Sequence, residues 1–133
     1  MAGAPSELDF AVVGGGILGL AVAREVGMRW PERRIAVLER ATEVGTGQTG
    51  ANSGVIHAGI YYKPGSLKAR LCVTGARELY SYCEQHSIPH ERCGKLIVAR
   101  HEGELGRLDE LERRGRENGV SGLRRLDANE LRA

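Results

Sequence analysis

The stretch from Asp9 to Glu39 decides what this chain can fold into. An apolar run, Phe10-Ala11-Val12-Val13, leads into Gly14-Gly15-Gly16-Ile17-Leu18-Gly19. A helical pattern follows to about Arg29, and a second apolar run, Ile35-Ala36-Val37-Leu38, ends at Glu39. Strand, glycine turn, helix, strand and acid in that order describe a βαβ unit. Gly14, Gly16 and Gly19 have G-x-G-x-x-G spacing. The first glycine of that pattern allows the tight turn, the second lets a pyrophosphate approach the backbone, and the third lets the helix pack close to the strand. Phosphates would sit on unpaired N–H groups at the positive helix N-terminus. Glu39 follows Gly19 by twenty positions, where an acid accepts hydrogen bonds from a ribose diol. The combination predicts a dinucleotide site. The glycine spacing alone would equally suit a tight βα turn with Glu39 as a solvated strand-end residue.

The first strand is expected over Asp9 to Val13, buried and parallel because its apolar run is continuous. In the helix, Leu18, Ala21, Val22 and Val26 form the face expected to pack on the sheet. Trp30-Pro31 stops it. After the second strand comes a glycine- and hydroxyl-rich segment, Ala41 to Gly54, in place of the further helix and strand usual for a nicotinamide-binding fold. Such a segment cannot build a core. It can wrap a large polar ligand with backbone N–H groups and small hydroxyls, or it can be a surface loop.

Val55 to Tyr62 reads as extended and apolar, with His57 its only ionisable residue. Ser66 is a plausible N-cap for a helix from Leu67 to about His86, with Leu67, Leu71, Ala76, Leu79, Tyr80 and Cys83 on its apolar face. Gly94 to Ala99 is a strand candidate, and Leu123 to Leu126 a short one. Between them a charged helix is expected over about Glu102 to Asn118, with Leu105, Leu108 and Leu111 as its apolar stripe and Gly119 just past its end. Asp127-Ala128-Asn129-Glu130 has the pattern of a capping box. Of the charged segments, alternating signs describe a solvated face rather than a partner surface.

The chain has 133 residues, enough for one domain, and a net charge of +2, too near neutral to point to nucleic acid. Its N-terminus lacks the basic and apolar regions of a secretory signal, and Phe10 to Ala23 is shorter than the ~20 residues of a spanning helix. No transmembrane segment is expected. A cytoplasmic location follows as the expectation, with peripheral membrane contact left open. Cys72, Cys83 and Cys93 are an odd number without a CxxC, which reads as buried, reduced thiols.

The residues DFAVVGGGILGLAVA with LER at the second strand resemble the FAD-dependent D-amino-acid oxidase superfamily. QTGANSGVIHAGIYYKPGSLKARLC, from Gln48 to Cys72, and CGKLIVA, from Cys93 to Ala99, are similar to the L-2-hydroxyglutarate oxidase/dehydrogenase family within it. The resemblance runs over nearly all of the chain. It implies an α/β fold, a Rossmann-like FAD-binding βαβ with the start of an interleaved α+β substrate-binding domain. Residues 9–60 would form the FAD-binding βαβ and glycine-rich loop, and 61–133 the helices and first strands toward the substrate domain. Members of the family are longer, so the chain reads as an N-terminal part or a truncated product.

The implied reaction is oxidation of L-2-hydroxyglutarate to 2-oxoglutarate by hydride transfer to flavin, with a 2-hydroxy dicarboxylate as substrate and oxygen, a quinone or a carrier as electron acceptor. Other superfamily chemistries, on glycerol 3-phosphate or an amino acid, are the alternative, as is a partial dinucleotide-binding fragment with no activity. By the same resemblance Gly14, Gly16 and Gly19 would bind the FAD diphosphate, with Gly15, Ile17 and Leu18 lining it. Glu39 would hold the adenosine ribose and Arg40 flank the adenine. Thr49, Asn52, Ser53 and Gly54 would approach the pyrophosphate or the flavin, and His57 would lie near the isoalloxazine.

Neutral imidazole suits removal of a hydroxyl proton as hydride leaves, which makes His57 the catalytic candidate. It could also stabilise reduced flavin, carry it covalently, or simply pack beside it. Lys63 or Lys95 could hold a carboxylate, although a strand-edge lysine is the plainer reading of either. Cys83, His86, His90 and Cys93 bring four soft ligands close in sequence, but their spacing is not that of a zinc site and Pro89 intervenes. No metal is expected.

Overall fold

The computed structural model describes residues 7–132. The chain divides into two compact units, one ending at Val55 and the other beginning at Ile56.

In the first unit, β1 (Phe10–Val13), α1 (Ile17–Arg29) and β2 (Ile35–Leu38) form a right-sized βαβ. The strands are parallel, with Phe10 opposite Ile35 and Val13 opposite Leu38. Asp9 sets this register. Its carboxylate accepts from the Arg34 N–H at 2.8 Å and from Arg33 Nη1 at 3.0 Å, so the chain entering β2 is latched to the residue preceding β1. The Arg34 N–H, then the Arg33 guanidinium, hold the Asp9 carboxyl below its usual range. At the other end Gly14 N–H donates to Leu38 O at 2.8 Å, carrying the ladder into the turn. The Trp30 ring, one residue past α1, stacks on Phe10 with centroids 5.9 Å apart.

The inward face of α1 is not the expected one. Gly19, Leu20, Ala23, Val26 and Gly27 are half-buried, while Leu18, Ala21 and Val22 are exposed, Leu18 at 81%. The helix is apolar nearly all round, so its periodicity alone does not choose a face. Glycine does: a Cβ at Gly19 would lie 1.9 Å from Gly14 O, and one at Gly27 would just touch Ile35 Cδ1 at 3.6 Å. The side with no side chains in the way is the side that approaches the strands. Val13, at 83% exposure, and Leu38, at 53%, leave the sheet's apolar surface open as well.

The second unit is built on α2 (Leu67–Gln85) and α3 (Leu105–Glu117), the latter preceded by a 3₁₀ turn at Glu102–Glu104. Ser66 caps α2 as its sequence suggests, its Oγ accepting from Ala69 N–H at 3.1 Å. Both helices end in the same way. Ile88 N–H reaches back to Cys83 O and Ser87 N–H to Glu84 O, just as Val120 N–H reaches Gly115 O and Gly119 N–H reaches Arg116 O. The left-handed position in this arrangement is Gly119 (φ 74°) for α3, but Ser87 (φ 53°) for α2. On α2 the buried side runs through Ala69, Cys72, Val73, Ala76, Tyr80 and Cys83, and the expected Leu67, Leu71 and Leu79 are exposed. Of the expected α3 stripe, Leu108 and Leu111 are half-buried and Leu105 is exposed.

Neither Gly94 to Ala99 nor Leu123 to Leu126 is a strand, and Val55 to Tyr62 forms no ladder, its last four residues turning instead of extending. Among the described residues the only strand pairing is β1 with β2. Residues 94–99 and 123–126 instead face each other and α3 across an open groove of about 980 Å³. A strand is defined by its partner's hydrogen bonds, and their local propensity supplies none. The capping box does form: Asp127 Oδ1 accepts from Asn129 and Glu130 N–H, and Glu130 Oε2 accepts from Asp127 N–H at 2.8 Å. One helical turn follows, with Leu131 N–H bonded to Asp127 O. No helix among the described residues is long and apolar enough to cross a membrane.

Candidate functional site

The site expected from the sequence is assembled around the glycine turn in the first unit. Gly14 sits at φ 105°, a conformation that only glycine adopts without strain. Gly16 is the N-cap of α1, in extended conformation. Ile17 N–H, the first of the helix, donates to Thr49 Oγ1 at 2.9 Å. The N–H groups of Leu18 and Gly19 lie in the same first turn, where the helix itself offers no carbonyl partner. They point from the positive end of the helix dipole, where an anion is favoured.

Gly15 has a more exacting role than lining. It is buried, and its N–H donates to Glu39 Oε2 at 2.7 Å while its carbonyl accepts from Gly45 N–H at 2.9 Å. A Cβ on Gly15 would fall 2.8 Å from Val44 Cγ1 and 3.1 Å from Glu39 Cβ. Gly15 is therefore where the glycine turn, the end of β2 and the following loop converge. Val44 and Gly45 belong to this cradle although the sequence reading gave them no role. The available signal was Gly45 itself, which takes φ 76° at the turn of the loop.

Glu39 is a prepared acceptor. Its Oε1 accepts from Ala41 N–H at 2.9 Å, and its Oε2 from Gly15. These two N–H groups, Ala41 first, hold its carboxyl below the usual carboxylate range. The ionised group keeps lone pairs on both oxygens for further donors, which is what a ribose diol would require. Arg40 is exposed beside it.

The loop from Ala41 to Gly54 is a succession of turns held to the βαβ at two points, Gly45 to Gly15 and Thr49 to Ile17. Asn52 is occupied within its own loop. Its Nδ2 donates to Thr49 O at 2.5 Å, and its Oδ1 accepts from Gly54 N–H at 2.6 Å. Asn52 thus shapes the loop that presents Thr49. Ser53 and Gly54 are exposed, Gly54 at φ 64°.

The donors and spaces present fit a dinucleotide such as FAD. An open glycine turn, a helix N-terminus with unpaired N–H groups and an ionised strand-end carboxylate stand together within one unit. Side chains at Gly15 or Gly19 would abolish that cradle.

His57 lies in the second unit with an exposed side chain, and its carbonyl accepts from Cys72 Sγ at 3.2 Å. Lys95 Nζ sits 4.8 Å over the Tyr61 ring and Lys68 Nζ at the same distance over Tyr62. His86 packs on Tyr82 and His90 on Tyr80. Among the described residues no group of three or more His, Cys, Asp and Glu side chains is placed to hold a metal.

The family described as FAD dependent oxidoreductase matches residues 9–133. The L-2-hydroxyglutarate dehydrogenase, mitochondrial, of Pongo abelii is 53% identical over 127 residues, 96% of this chain and 30% of that protein. The Homo sapiens protein of the same description is 52% identical over 127 residues, 96% of this chain and 27% of its own length. L-2-hydroxyglutarate dehydrogenase of Indibacter alkaliphilus is 46% identical, over 94% of this chain and 32% of its own length. The chain thus spans about a third or less of the relatives it matches.

Proposed function

This chain belongs to the FAD dependent oxidoreductase family, and we propose that it furnishes the dinucleotide-binding part of a flavoenzyme that oxidises L-2-hydroxyglutarate to 2-oxoglutarate. What carries the reading is that identity of about one half extends over nearly all of this chain in relatives from a primate and a bacterium that share one substrate name. The cradle of Gly15, Glu39 and Thr49 supports it from the geometry.

In this reading the N–H groups of Leu18 and Gly19 receive the diphosphate. Gly14 and Gly16 leave room for it, and Ile17 and Leu18 line its path. Glu39 accepts from the ribose hydroxyls, and Arg40 flanks the adenine. Thr49 caps the helix at the same end, and Asn52, Ser53 and Gly54 continue the wall toward the flavin. FAD, when bound, supplies the acceptor for the hydride that leaves substrate C2. The His57 imidazole takes the proton of the 2-hydroxyl as the C–O bond becomes a carbonyl. Residues 9–60 are the FAD-binding portion in this scheme, and 61–133 begin an interleaved α+β substrate domain. A cytoplasmic location, with peripheral contact to a membrane, belongs to the same proposal.

The test is a polypeptide of the relatives' length carrying this segment, purified with its flavin and assayed by reduction of an artificial dye. L-2-hydroxyglutarate is expected to drive the reduction. Reduction by glycerol 3-phosphate or an amino acid in its place would overturn the substrate, and a protein that takes up no flavin would overturn the reading altogether. His57→Ala is expected to retain flavin and lose substrate-driven flavin reduction.

A further inference from the structure

The segment that carries His57 has no ladder to hold it, and yet it is anchored from two helices of its own unit. On the α2 side, Cys72 Sγ donates to His57 O at 3.2 Å. Gly59 lies so close to the same helix that a Cβ would stand 2.9 Å from Val73 Cγ2. On the α3 side, Asn118 Nδ2 donates twice, to Gly59 O at 3.1 Å and to Tyr62 O at 2.9 Å. Arg114 Nη1, one turn earlier, donates to Tyr61 O at 3.2 Å. Gly115 between them lets α3 close onto Ile60, whose Cγ1 would be 3.1 Å from a Cβ at that position.

Three of the four carbonyls from Gly59 to Tyr62 are therefore held by side chains more than fifty residues away in the chain. A turn needs no such help to close. The Asn118 amide, moreover, has one orientation open to it. Its Oδ1 is buried without a partner, and the reverse orientation would set that oxygen against two carbonyl oxygens. An apolar residue here would leave the Gly59 and Tyr62 carbonyls without their donor, so the amide serves the backbone of this turn while its own acceptor goes unpaired. What the amide provides is a fixed geometry for the turn that begins two residues after His57.

We infer that Asn118 is a positioning residue: it sets, with support from Arg114, the backbone from which the His57 imidazole is presented. This rests on His57 being the proton acceptor. A displacement of about 1 Å at a reacting group costs on the order of 10²-fold in rate, and loss of two anchoring bonds removes restraint from a segment that has no ladder.

The experiment uses the full-length flavoprotein and measures flavin content, the rate of flavin reduction by L-2-hydroxyglutarate, and substrate affinity. The variants are Asn118→Ala, His57→Ala and the double substitution. Asn118→Ala is expected to keep its flavin and its substrate affinity while reduction slows on the order of 10²-fold. The double variant is expected to be no slower than His57→Ala alone, because a residue acting through His57 has nothing left to position. Normal reduction by Asn118→Ala, or effects that multiply in the double variant, would overturn the positioning role and leave that of His57 standing. Normal reduction by His57→Ala would remove the catalytic reading and the inference with it. Should Asn118→Ala not retain flavin, Arg114→Met replaces it, releasing Tyr61 O and, at the helix surface, the ion pair with Glu110. A several-fold slowing that vanishes in the His57→Ala background is then expected, and an unchanged rate would refute the inference.

Discussion

Gly19→Ala offers the sharpest test of how the cradle is built. Alanine in place of a helical glycine ordinarily stabilises by roughly 1 kcal/mol. At Gly19 the added Cβ would stand 1.9 Å from Gly14 O and 3.0 Å from Gly14 C, where real Cβ atoms essentially never come within 3.0 Å. The helix must withdraw from the turn by about 1.1 Å to relieve that one contact. The obstacle is a backbone carbonyl held at φ 105° beside the end of the ladder, and it has no rotamer to move into. Overpacking of this kind costs about 1–3 kcal/mol, enough to cancel the helix-propensity gain and leave a net loss of up to roughly 2 kcal/mol. The same withdrawal shifts the Leu18 and Gly19 N–H groups. In the proposed binding mode, losing one of their hydrogen bonds to the charged diphosphate costs about 1.5–3 kcal/mol, or on the order of 10- to 100-fold in FAD affinity. Gly27→Ala is the control within the same helix, because its Cβ meets only Ile35 Cδ1 at an ordinary 3.6 Å. In urea unfolding of the full-length protein Gly27→Ala should be more stable than the parent and Gly19→Ala less, and in FAD titration only Gly19→Ala should lose affinity. If Gly19→Ala is as stable as Gly27→Ala and binds FAD as the parent does, the close approach of α1 to the turn is refuted.

Ser87→Gly should stabilise by about 1 kcal/mol, since Ser87 occupies at φ 53° the left-handed position that Gly119 fills at the end of α3; an unchanged urea midpoint would count against it. Glu39→Gln should flatten the acid limb of the stability curve. The two N–H bonds hold the folded carboxyl below its ordinary 4.5, so their contribution is complete above that pH and is lost as pH falls through the lowered value. Thermal midpoints taken between pH 6 and pH 3 should drop less for the variant, and parallel curves would exclude Glu39 as a source of the decline.

α3 is where exposed charge is most densely paired. Arg113, then Arg114, pulls the Glu110 carboxyl down to about 2, and Glu112 pairs with both Arg116 and Arg125. These pairs lie at the surface, with Glu110 at 40% and Arg113 at 53% side-chain exposure, so they lend α3 little stability. The neighbouring Gly115 and Asn118 matter more, because they bring α3 against residues 59–62.

Much of the protein was determined locally, and that part is legible in the sequence. The bounds of α1 and β2 follow from the glycine turn, Pro31 and the apolar run ending at Glu39. The start of α2 follows from Ser66, the end of α3 from Gly119, and the last turn from Asp127 and Glu130. Each depends on groups within a few residues of one another, so the residue types carry the answer. The glycine turn and its neighbouring acid are legible for the same reason: spacing places Gly14, Gly16 and Gly19, and strand length places Glu39 at the end of β2.

Tertiary structure alone decided the rest. Which face of α1 turns inward was settled by contact at Gly19 and Gly27, because a helix with only Arg24, Glu25 and Arg29 charged gives periodicity little to select. Gly15 became the meeting point of Glu39, Val44 and Gly45 through contacts across more than twenty residues. Residues 94–99 and 123–126 have the composition of strands but not the ladders, since a ladder is made by a partner and not by the strand itself. Asn118 and Arg114 look in the sequence like the polar end of a solvated helix. Only the fold brings them to the carbonyls of Gly59, Tyr61 and Tyr62, because that pairing spans more than fifty residues and leaves no local trace.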